Sequence, residues 1–586
     1  MAFQALAVIG AQTAAAAVTC AFAGGVVTVT MGVGDSAEIQ QDTTSGTIEV
    51  NGLACAPVAP IATTTAIAIN GNTGDEFVLI DLYSDNTPTT ISWGTVDWTI
   101  NLGSGTADEV FVDDSGGDTA VKVTAGVSGI DLNTDGNLDV THAGVEFLDL
   151  EGGPGKDTLS AAGDTTTGAA FATGVFIDGL AGNDTLSGGA GNDSGVTIGV
   201  VGINGIFGDA GDDTLAGGLG DDLLNGGAQG PDGDTADFSA STTAVTANLT
   251  TFNATGQGLD TLTSIENLTG SPQGDTLTGL TAQDNYITPG AGDDKVDGVG
   301  TTDEDTVDYS DATAAVTVDL TAGTATGGSG NDSLKNVEDV QGSDFADTLT
   351  GNDLFNGLFG GAGNDTLASM AGDDDLEGEG GVDVVDYSWS ASPVTVLLSC
   401  DTAVAGDGDI GGSTNPTKDD LFTIENALLT ADDDSFTGNQ FANRVWPNGG
   451  QNSLDGDSGK SCTTTPGGDT LDYSVGYDTG VEVNMAGGAT AGDSAVNFEN
   501  AVGTKFADNI TGNASSNSVA GRGGNDNLKG GGGDDELRGA KGNDVVRGGS
   551  GDDDMFGGPG KKDRGYGGSG TDLCRGFELR RGCEIR

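Results

Sequence analysis

The sequence predicts an all-β solenoid built from Gly/Asp-rich nonapeptide repeats, with a β-rich N-terminal region ahead of them. Three observations predict it: a nine-residue period, one apolar residue held at a fixed place in that period, and glycine at 104 of 586 residues, against a usual share of about 7%. The period is plainest near the C-terminus, where Gly521, Gly530, Gly539, Gly548 and Gly557 recur every nine residues. Between them lie GRGGNDNLK, GGGGDDELR, GAKGNDVVR and GGSGDDDMF. Each unit has Gly at position four, Asp at six (Asp526, Asp535, Asp544, Asp553) and an apolar residue at eight (Leu528, Leu537, Val546, Met555). Glycine reaches positive φ with no Cβ to clash, so G-G-x-G permits a sharp turn. The last three positions form a short strand that sends one apolar side chain inward. A single unit cannot bury that side chain, so units must stack.

The elements follow in chain order. Residues 1–150 are rich in Thr, Val and Ala, with strand-like runs at Val26 to Thr30 and Ala66 to Ile69, and read as a β-rich N-terminal cap. Within them, Met1 to Ala17 is apolar and Ala-rich. Two readings stand for this stretch: the remnant of a secretory signal ending before Val18-Thr19-Cys20, or the first strand of the mature fold. The basic start of a signal is lacking, since the first Lys or Arg is Lys122. Asp108 and Val110, after Gly103 and Gly105, read as a degenerate unit.

Residues 151–233 form the first nonapeptide block, with Asp157 before Leu159, Asp184 before Leu186, Asp213 before Leu215 and Asp222 before Leu224. Asp193 also stands at position six, but Gly195 occupies position eight, so that unit frays. The frame returns at Asp294 with Val296, Asp365 with Leu367 and Asp374 with Leu376.

Four longer modules interleave with these units, at residues 234–304, 305–382, 383–468 and 469–520. Their opening residues are Asp234, Asp305, Asp383 and Asp469, and each soon shows an acidic-aromatic-Ser step: Asp237-Phe238-Ser239, Asp308-Tyr309-Ser310, Asp386-Tyr387-Ser388 and Asp472-Tyr473-Ser474. An alternating run follows (Val245, Ala247, Leu249 in the first copy), which is the period of a half-buried strand. Then come a Glu and, nine residues on, an Asp: Glu266 and Asp275, Glu338 and Asp347, Glu425 and Asp434, Glu499 and Asp508. Nine is the solenoid period, so the modules are expected to continue the same coil. Residues 521–586 form a last nonapeptide block that carries twelve of the 20 Lys and Arg.

The recurring unit resembles the RTX, or hemolysin-type calcium-binding, nonapeptide G-G-x-G-x-D-x-U-x. The resemblance implies a parallel β-roll with two nonapeptides per coil and Ca²⁺ between successive turns. The chemistry agrees, because exposed carbonyls and an Asp carboxylate are the hard oxygens that Ca²⁺ takes six to eight at a time. The expected metal ligands are Asp157, Asp184, Asp193, Asp213, Asp222, Asp294, Asp365, Asp374, Asp526, Asp535, Asp544 and Asp553.

Charge supports a cation partner. Asp and Glu number 90 against 20 Lys and Arg, a formal charge of −70, and a compact state concentrates that repulsion. The same charge argues against nucleic acid and an anionic membrane surface, and no apolar run is long enough for a membrane-spanning helix. The six cysteines (Cys20, Cys55, Cys400, Cys462, Cys574, Cys583) fall into three near pairs without C-x-x-C spacing, which indicates disulfides and an oxidising compartment. Cys574 falls at position eight and Cys583 nine later, so a disulfide between two successive core positions is expected to close the last coil. A Cys400–Cys462 bridge would tie down the longest insertions.

Two local patterns imitate other chemistry. Asp131 to Asp139 matches the first nine places of an EF-hand loop, but the twelfth is His142 rather than Glu, and the flanks read as strand. A turn between strands is expected there. His142 is the only histidine, has no nucleophile partner and is expected to be a surface or structural residue. No G-x-S-x-G elbow occurs, and the periodic carboxylates are explained as ligands rather than as a glycosidase pair.

The expected protein is a non-enzymatic, calcium-binding structural or adhesive protein, extracellular, secreted or at the cell surface, with a cell-surface or matrix polymer as a candidate partner. Alternatives are a secreted enzyme with an unrecognised site in residues 1–150, or a toxin-like export module. Folding is expected to be coupled to Ca²⁺: at tenfold excess ion, each site present only when folded adds about 1.4 kcal/mol.

Overall fold

The structure, a computed structural model, describes residues 18–586 apart from 32–34, 43–46, 52, 61, 63, 73–76, 82–96, 104–108, 114–121, 127, 133–137, 139, 144, 146, 154, 174, 192, 194–204, 301–303, 399–405, 411–417, 440, 457–467, 488–491 and 585–586. Met1 to Ala17, Asp108, Cys400 and Cys462 therefore lie outside the described residues. Two compact units divide the chain, Met1–Asp305 and Thr306–Arg586. Among the described residues, the shortest coils consist of a tight turn, a short strand, a second turn and a second strand.

In the first unit, strands stack in parallel register into two sheets. One core column runs Ile39, Ile80, Val112, Leu150, Ile177, Ile206, Leu224, Leu262. Another runs Val123, Leu159, Leu186, Leu215, Ala236, Leu268, Ile287. All of these side chains are at most 1% exposed. The inward residue of each short strand thus touches its counterparts above and below, which is how a three-residue strand such as Thr185–Ser187 or Thr214–Ala216 finds a core. The strands before residue 150 join the same stacks. Val26–Thr30 pairs in parallel with Ala66–Asn72, which pairs with Asp97–Gly103, so the same solenoid runs through this region with longer coils. The cause is composition: these strands of five to seven residues each bury two or three large apolar side chains, such as Val27 and Val29, Ile67 and Ile69, or Trp98, Ile100 and Leu102.

In the second unit the coil settles to its shortest form. Val519 pairs with Leu537 and Leu537 with Met555 in one sheet, while Ile510 pairs with Leu528 and Leu528 with Val546 in the opposite one. Each partner is 18 residues on, two nonapeptides per coil, and consecutive units alternate between sheets.

The modules continue the coil as expected but carry antiparallel arms that spacing did not reveal. Thr246–Asn248, Asn253–Thr255 and Leu259–Thr263 form a meander, as do Val316–Asp319, Thr324–Gly327 and Gly330–Lys335. Val394–Leu397 pairs with Gly406–Ile410, and that strand with Lys418–Phe422. In each, the first strand also pairs in parallel with the next coil, for example Val318 with Leu349. The aromatic of the opening step lies beneath: Phe238, Tyr309, Tyr387 and Tyr473 are at most 2% exposed. The three tyrosine hydroxyls donate to Asp332, Asp419 and Asp493, each at 2.9 Å.

Disulfides join Cys20 to Cys55 and Cys574 to Cys583. The second is the expected pair, with one correction: Cys574 is a core residue paired with Met555, but Cys583 lies beyond the last strand, Leu579–Arg581, and is half-buried. Cys583 stands next to Glu584, which forms a parallel bridge with Leu573, so the disulfide closes the last turn from a half-buried position rather than from the core column.

Candidate metal centre

Each nonapeptide turn is closed by its own aspartate. Asp526, Asp535, Asp544 and Asp553 are at most 2% exposed, because the carboxylate folds back under the turn rather than out to water. Oδ1 of each accepts a backbone N–H from one coil earlier: from Asp508 (2.9 Å), Asn517 (2.8 Å), Asp526 (2.9 Å) and Asp535 (3.0 Å) respectively. The ladder extends to Asp563 and Asp572 and ends on Glu578 and Glu584, which accept the N–H groups of these two. In the first unit the same bond links Asp157 to Asp184 (2.7 Å), Asp184 to Asp213 (2.8 Å), Asp213 to Asp234 (2.9 Å) and Asp193 to Asp222 (2.7 Å).

The second oxygen is different. Oδ2 of Asp184, Asp213, Asp222, Asp234, Asp365, Asp374, Asp383, Asp526, Asp535, Asp544, Asp553, Asp563 and Asp572 is buried and receives no hydrogen bond. An ionised carboxylate buried without full pairing costs several kcal/mol. Repeated from coil to coil, that is a standing demand for positive charge. Lys and Arg do not meet it at these atoms.

Glycine lets the carboxylates pack this closely under the turns. The position-one glycines Gly521, Gly530, Gly539 and Gly548 lie against Oδ2 of Asp526, Asp535, Asp544 and Asp553, where any Cβ would collide with the carboxylate. At position four, Gly542 (φ +145°) and Gly551 (φ +128°) lie against the carbonyl oxygens of Gly524 and Gly533 of the coil before. Side chains are thus excluded from a space lined by carboxylate and carbonyl oxygens. Among the described residues no three His, Cys, Asp or Glu side chains converge, so an ion here takes part of its shell from the backbone. All-oxygen donors without imidazole or thiolate suit Ca²⁺. The residue after the position-one glycine is held left-handed even when it is not glycine: Leu180 (φ +69°), Asp209 (+68°), Glu379 (+60°), Arg522 (+65°) and Ala540 (+66°). Each costs roughly 1–2 kcal/mol, strain that persists only where the surroundings impose it.

Burial sets the electrostatics. Burial first, with a smaller push from neighbouring aspartates, raises the carboxyls of Asp184, Asp526 and Asp535 to about 7. Asp374 is pushed up to about 8, by burial first and the nearby Asp419 second. A bound divalent cation reverses this preference by pairing with the anion.

Of the twelve aspartates predicted from sequence, Asp184, Asp213, Asp222, Asp365, Asp374, Asp526, Asp535, Asp544 and Asp553 share this arrangement. Asp157 and Asp193 do not, because Gly153 and Gly189 donate their N–H groups to the Oδ2 atoms at 2.8 and 3.0 Å. Asp294 is buried and accepts the N–H of Asp275 at 2.6 Å. Sequence reasoning missed Asp234, Asp383, Asp563 and Asp572. Asp383 keeps the frame in GEGGVDVVD and was legible; Asp234 and Asp563 follow turns lengthened by three residues and one, which broke the count of nine.

The other patterns resolve as structure. Gly129–Asp131 pairs antiparallel with Val140–Ala143 through Ile130 and Val140; residues 133–137 and 139 of the EF-hand-like stretch, where a turn was expected, lie outside the described residues. His142 Nε2 lies 3.0 Å from the Gly126 carbonyl, and its ring packs on Phe171; burial lowers its pKa. Among the described residues, no helix is long and apolar enough to cross a membrane.

Among protein families, the chain matches the RTX calcium-binding nonapeptide repeat (4 copies) over residues 176–194, 198–230, 356–385, 502–537 and 529–561. No curated protein matches the chain.

Proposed function

We propose that this chain, an RTX-type repeat protein whose nonapeptides bind multiple Ca²⁺ ions, is a secreted structural or adhesive protein without enzymatic activity, whose folding is coupled to the ion. The observation that carries the reading is the series of buried aspartate oxygens that no donor reaches, several of them packed against a glycine whose Cβ would collide with the carboxylate. Ca²⁺ supplies the charge that makes these carboxylates tolerable as anions. The chain's own part is positional: Oδ1 ties each coil to its neighbour, glycine keeps the cradle open, and the column of Leu, Val and Ile behind it fixes the spacing of the coils.

The coupling follows from the energetics. At low Ca²⁺ the folded state must protonate its buried carboxyls or bear them unpaired. At a calcium concentration tenfold above the dissociation constant, each site gains about 1.4 kcal/mol. Summed over several coils this is comparable with the 5–15 kcal/mol that stabilises a typical domain. A chain kept loose where Ca²⁺ is scarce and ordered where it is plentiful suits export followed by folding outside. The disulfides Cys20–Cys55 and Cys574–Cys583 support an oxidising destination.

Calcium titration of chelated protein, followed by circular dichroism, tests the coupling, and fractionation of the producing cells tests the location. A large gain of β-signal on adding Ca²⁺ and recovery outside the cell or on its surface are expected. Identical spectra with and without chelator would reject the coupling, and retention inside the cell would reject the location.

A further inference from the structure

Some turns of the solenoid complete their own hydrogen bonding. At Asp275, Asp347, Asp434 and Asp508 the residue four places earlier is Ser271, Ser343, Thr430 or Thr504. Its backbone N–H donates to Oδ2 at 2.5, 2.5, 3.0 and 2.8 Å. Its hydroxyl donates to Oδ1 at 2.9, 2.9, 2.8 and 2.9 Å. Oδ1 also accepts an N–H from the coil before, from Val245, Val316, Val394 or Val481. Both oxygens of each carboxylate therefore have donors supplied by the chain.

A second set of turns dispenses with the anion. Asn285, Asn356, Asn443 and Asn517 stand where the ladder elsewhere has aspartate, each 18 or 19 residues after the module's Glu. Oδ1 accepts an N–H from within the turn, from Leu280, Asn352, Asn439 or Asn513. Nδ2 donates to the carbonyl of Glu266, Glu338, Glu425 or Glu499 at 2.7–3.0 Å. The amide thus occupies a backbone oxygen that would otherwise face an ion, and it brings no charge to be neutralised.

Backbone conformation divides the two classes. Where Oδ2 lacks a donor, the second residue of the turn is left-handed, as at Leu180, Gly361, Met370, Arg522, Gly531 and Ala540. Ser271, Ser343, Thr430, Thr504, Asn352, Asn439 and Asn513 are not among the left-handed residues, and in each the N–H reaches the side-chain oxygen instead.

We propose that these Ser/Thr–Asp and Asn turns are built-in substitutes for the cation, so that Ca²⁺ binding is confined to turns with a left-handed second residue and the rungs built on the substituted turns stay in register without an ion. These rungs then serve as calcium-independent nuclei. In low calcium the nonapeptide blocks loosen around their unpaired carboxylates while the module rungs stay formed. When Ca²⁺ arrives, each block adds coils to an edge already in place, which removes the cost of nucleating a repeat stack. This rests on the calcium reading above and sharpens it to particular turns.

Equilibrium dialysis of the full chain with ⁴⁵Ca²⁺ distinguishes the classes. The triple variant Asp347→Asn, Asp434→Asn, Asp508→Asn is expected to bind as many ions per chain as the parent. The triple variant Asp526→Asn, Asp535→Asn, Asp544→Asn is expected to lose about two or more, since each ion lies between coils and shares its ligands. Equal losses in the two variants would overturn the division. Hydrogen exchange on the unsubstituted chain in chelator gives a second reading that requires no variant to fold. Peptides across 267–288, 339–359, 426–446 and 500–520 should keep protection about tenfold or more above that of 521–556, and equal exchange would overturn the proposal. Absence of any bound calcium in the parent would instead sink the calcium reading itself.

Discussion

Replacing Gly542 by Ala tests the closeness of the coils. The glycine has φ +145°, and an added Cβ would fall far inside 3.0 Å of the Gly524 carbonyl oxygen and near Oδ1 of Asp544. Both obstacles are backbone or closely tied to it, so neither can swing aside. The backbone conformation alone costs an alanine of the order of 1–3 kcal/mol. Separating the coils to admit the Cβ also stretches the bond from Gly524 N–H to the Lys541 carbonyl, now 2.9 Å, worth about 0.5–1.5 kcal/mol net. The sum is about 2–4 kcal/mol, a factor of roughly 30 to 1000 in the opening equilibrium. Gly523→Ala is the control: its φ is not left-handed, and its nearest contact, 3.5 Å, is ordinary. Hydrogen exchange with mass spectrometry in saturating Ca²⁺ should show peptides across 536–556 losing protection by that factor in G542A and changing about threefold or less in G523A. Equal behaviour of the two variants would refute close coil packing at position four.

Three further outcomes follow from the same structure. Leu537→Ala removes a fully buried side chain held between Val519 and Met555 and should cost about 2–5 kcal/mol in calcium-saturated thermal or denaturant unfolding, whereas exposed Lys529→Ala should stay within about 0.5 kcal/mol. Tyr473→Phe deletes the buried donor to Asp493 and should destabilise the second unit by about 1–3 kcal/mol; an unchanged midpoint would show the hydroxyl to be dispensable, as the natural Phe238 does in the first module. In chelated protein, burial raises Asp526 and Asp535 from 3.8 to about 7. The folded state therefore holds protons that the unfolded chain releases, and ion-free stability is full below about pH 4 and declines as pH rises toward about 7. Calcium must displace these protons, so its affinity by calorimetry should fall between about pH 8 and pH 5 with protons released on binding, and a pH-independent affinity would contradict the burial of these carboxyls.

The nonapeptide blocks were legible because their chemistry is carried by single residue types at fixed positions. Asp at six and Leu or Val at eight correspond to Asp535 under the turn and Leu537 in the column, and nothing else in the unit competes for those places. The modules were half legible. The nine-residue step from Glu to Asp showed that the coil continues, since Glu266, Glu425 and Glu499 do take the N–H groups of Asp234, Asp383 and Asp469. What a carboxylate search could not see was Asn285, Asn356, Asn443 and Asn517, which do the same structural task without charge. Nor does alternation distinguish a parallel strand from an antiparallel arm, so the run at Val245, Ala247 and Leu249 read as a strand with no sign of the meander it opens. In residues 18–150 no repeat length holds, because the longer strands stack without needing equal turns, and only the pairing register exposes the common column of Ile39, Ile80, Val112 and Leu150.

The most direct test is anomalous diffraction from crystals grown in calcium, which locates the ions themselves. Density peaks should lie between successive coils at the turns of Asp526 and Asp544, and of Asp535 and Asp553, within about 2.3–2.6 Å of carboxylate and carbonyl oxygens. Turns free of anomalous density in a calcium-saturated crystal would contradict the binding of the ion between the coils.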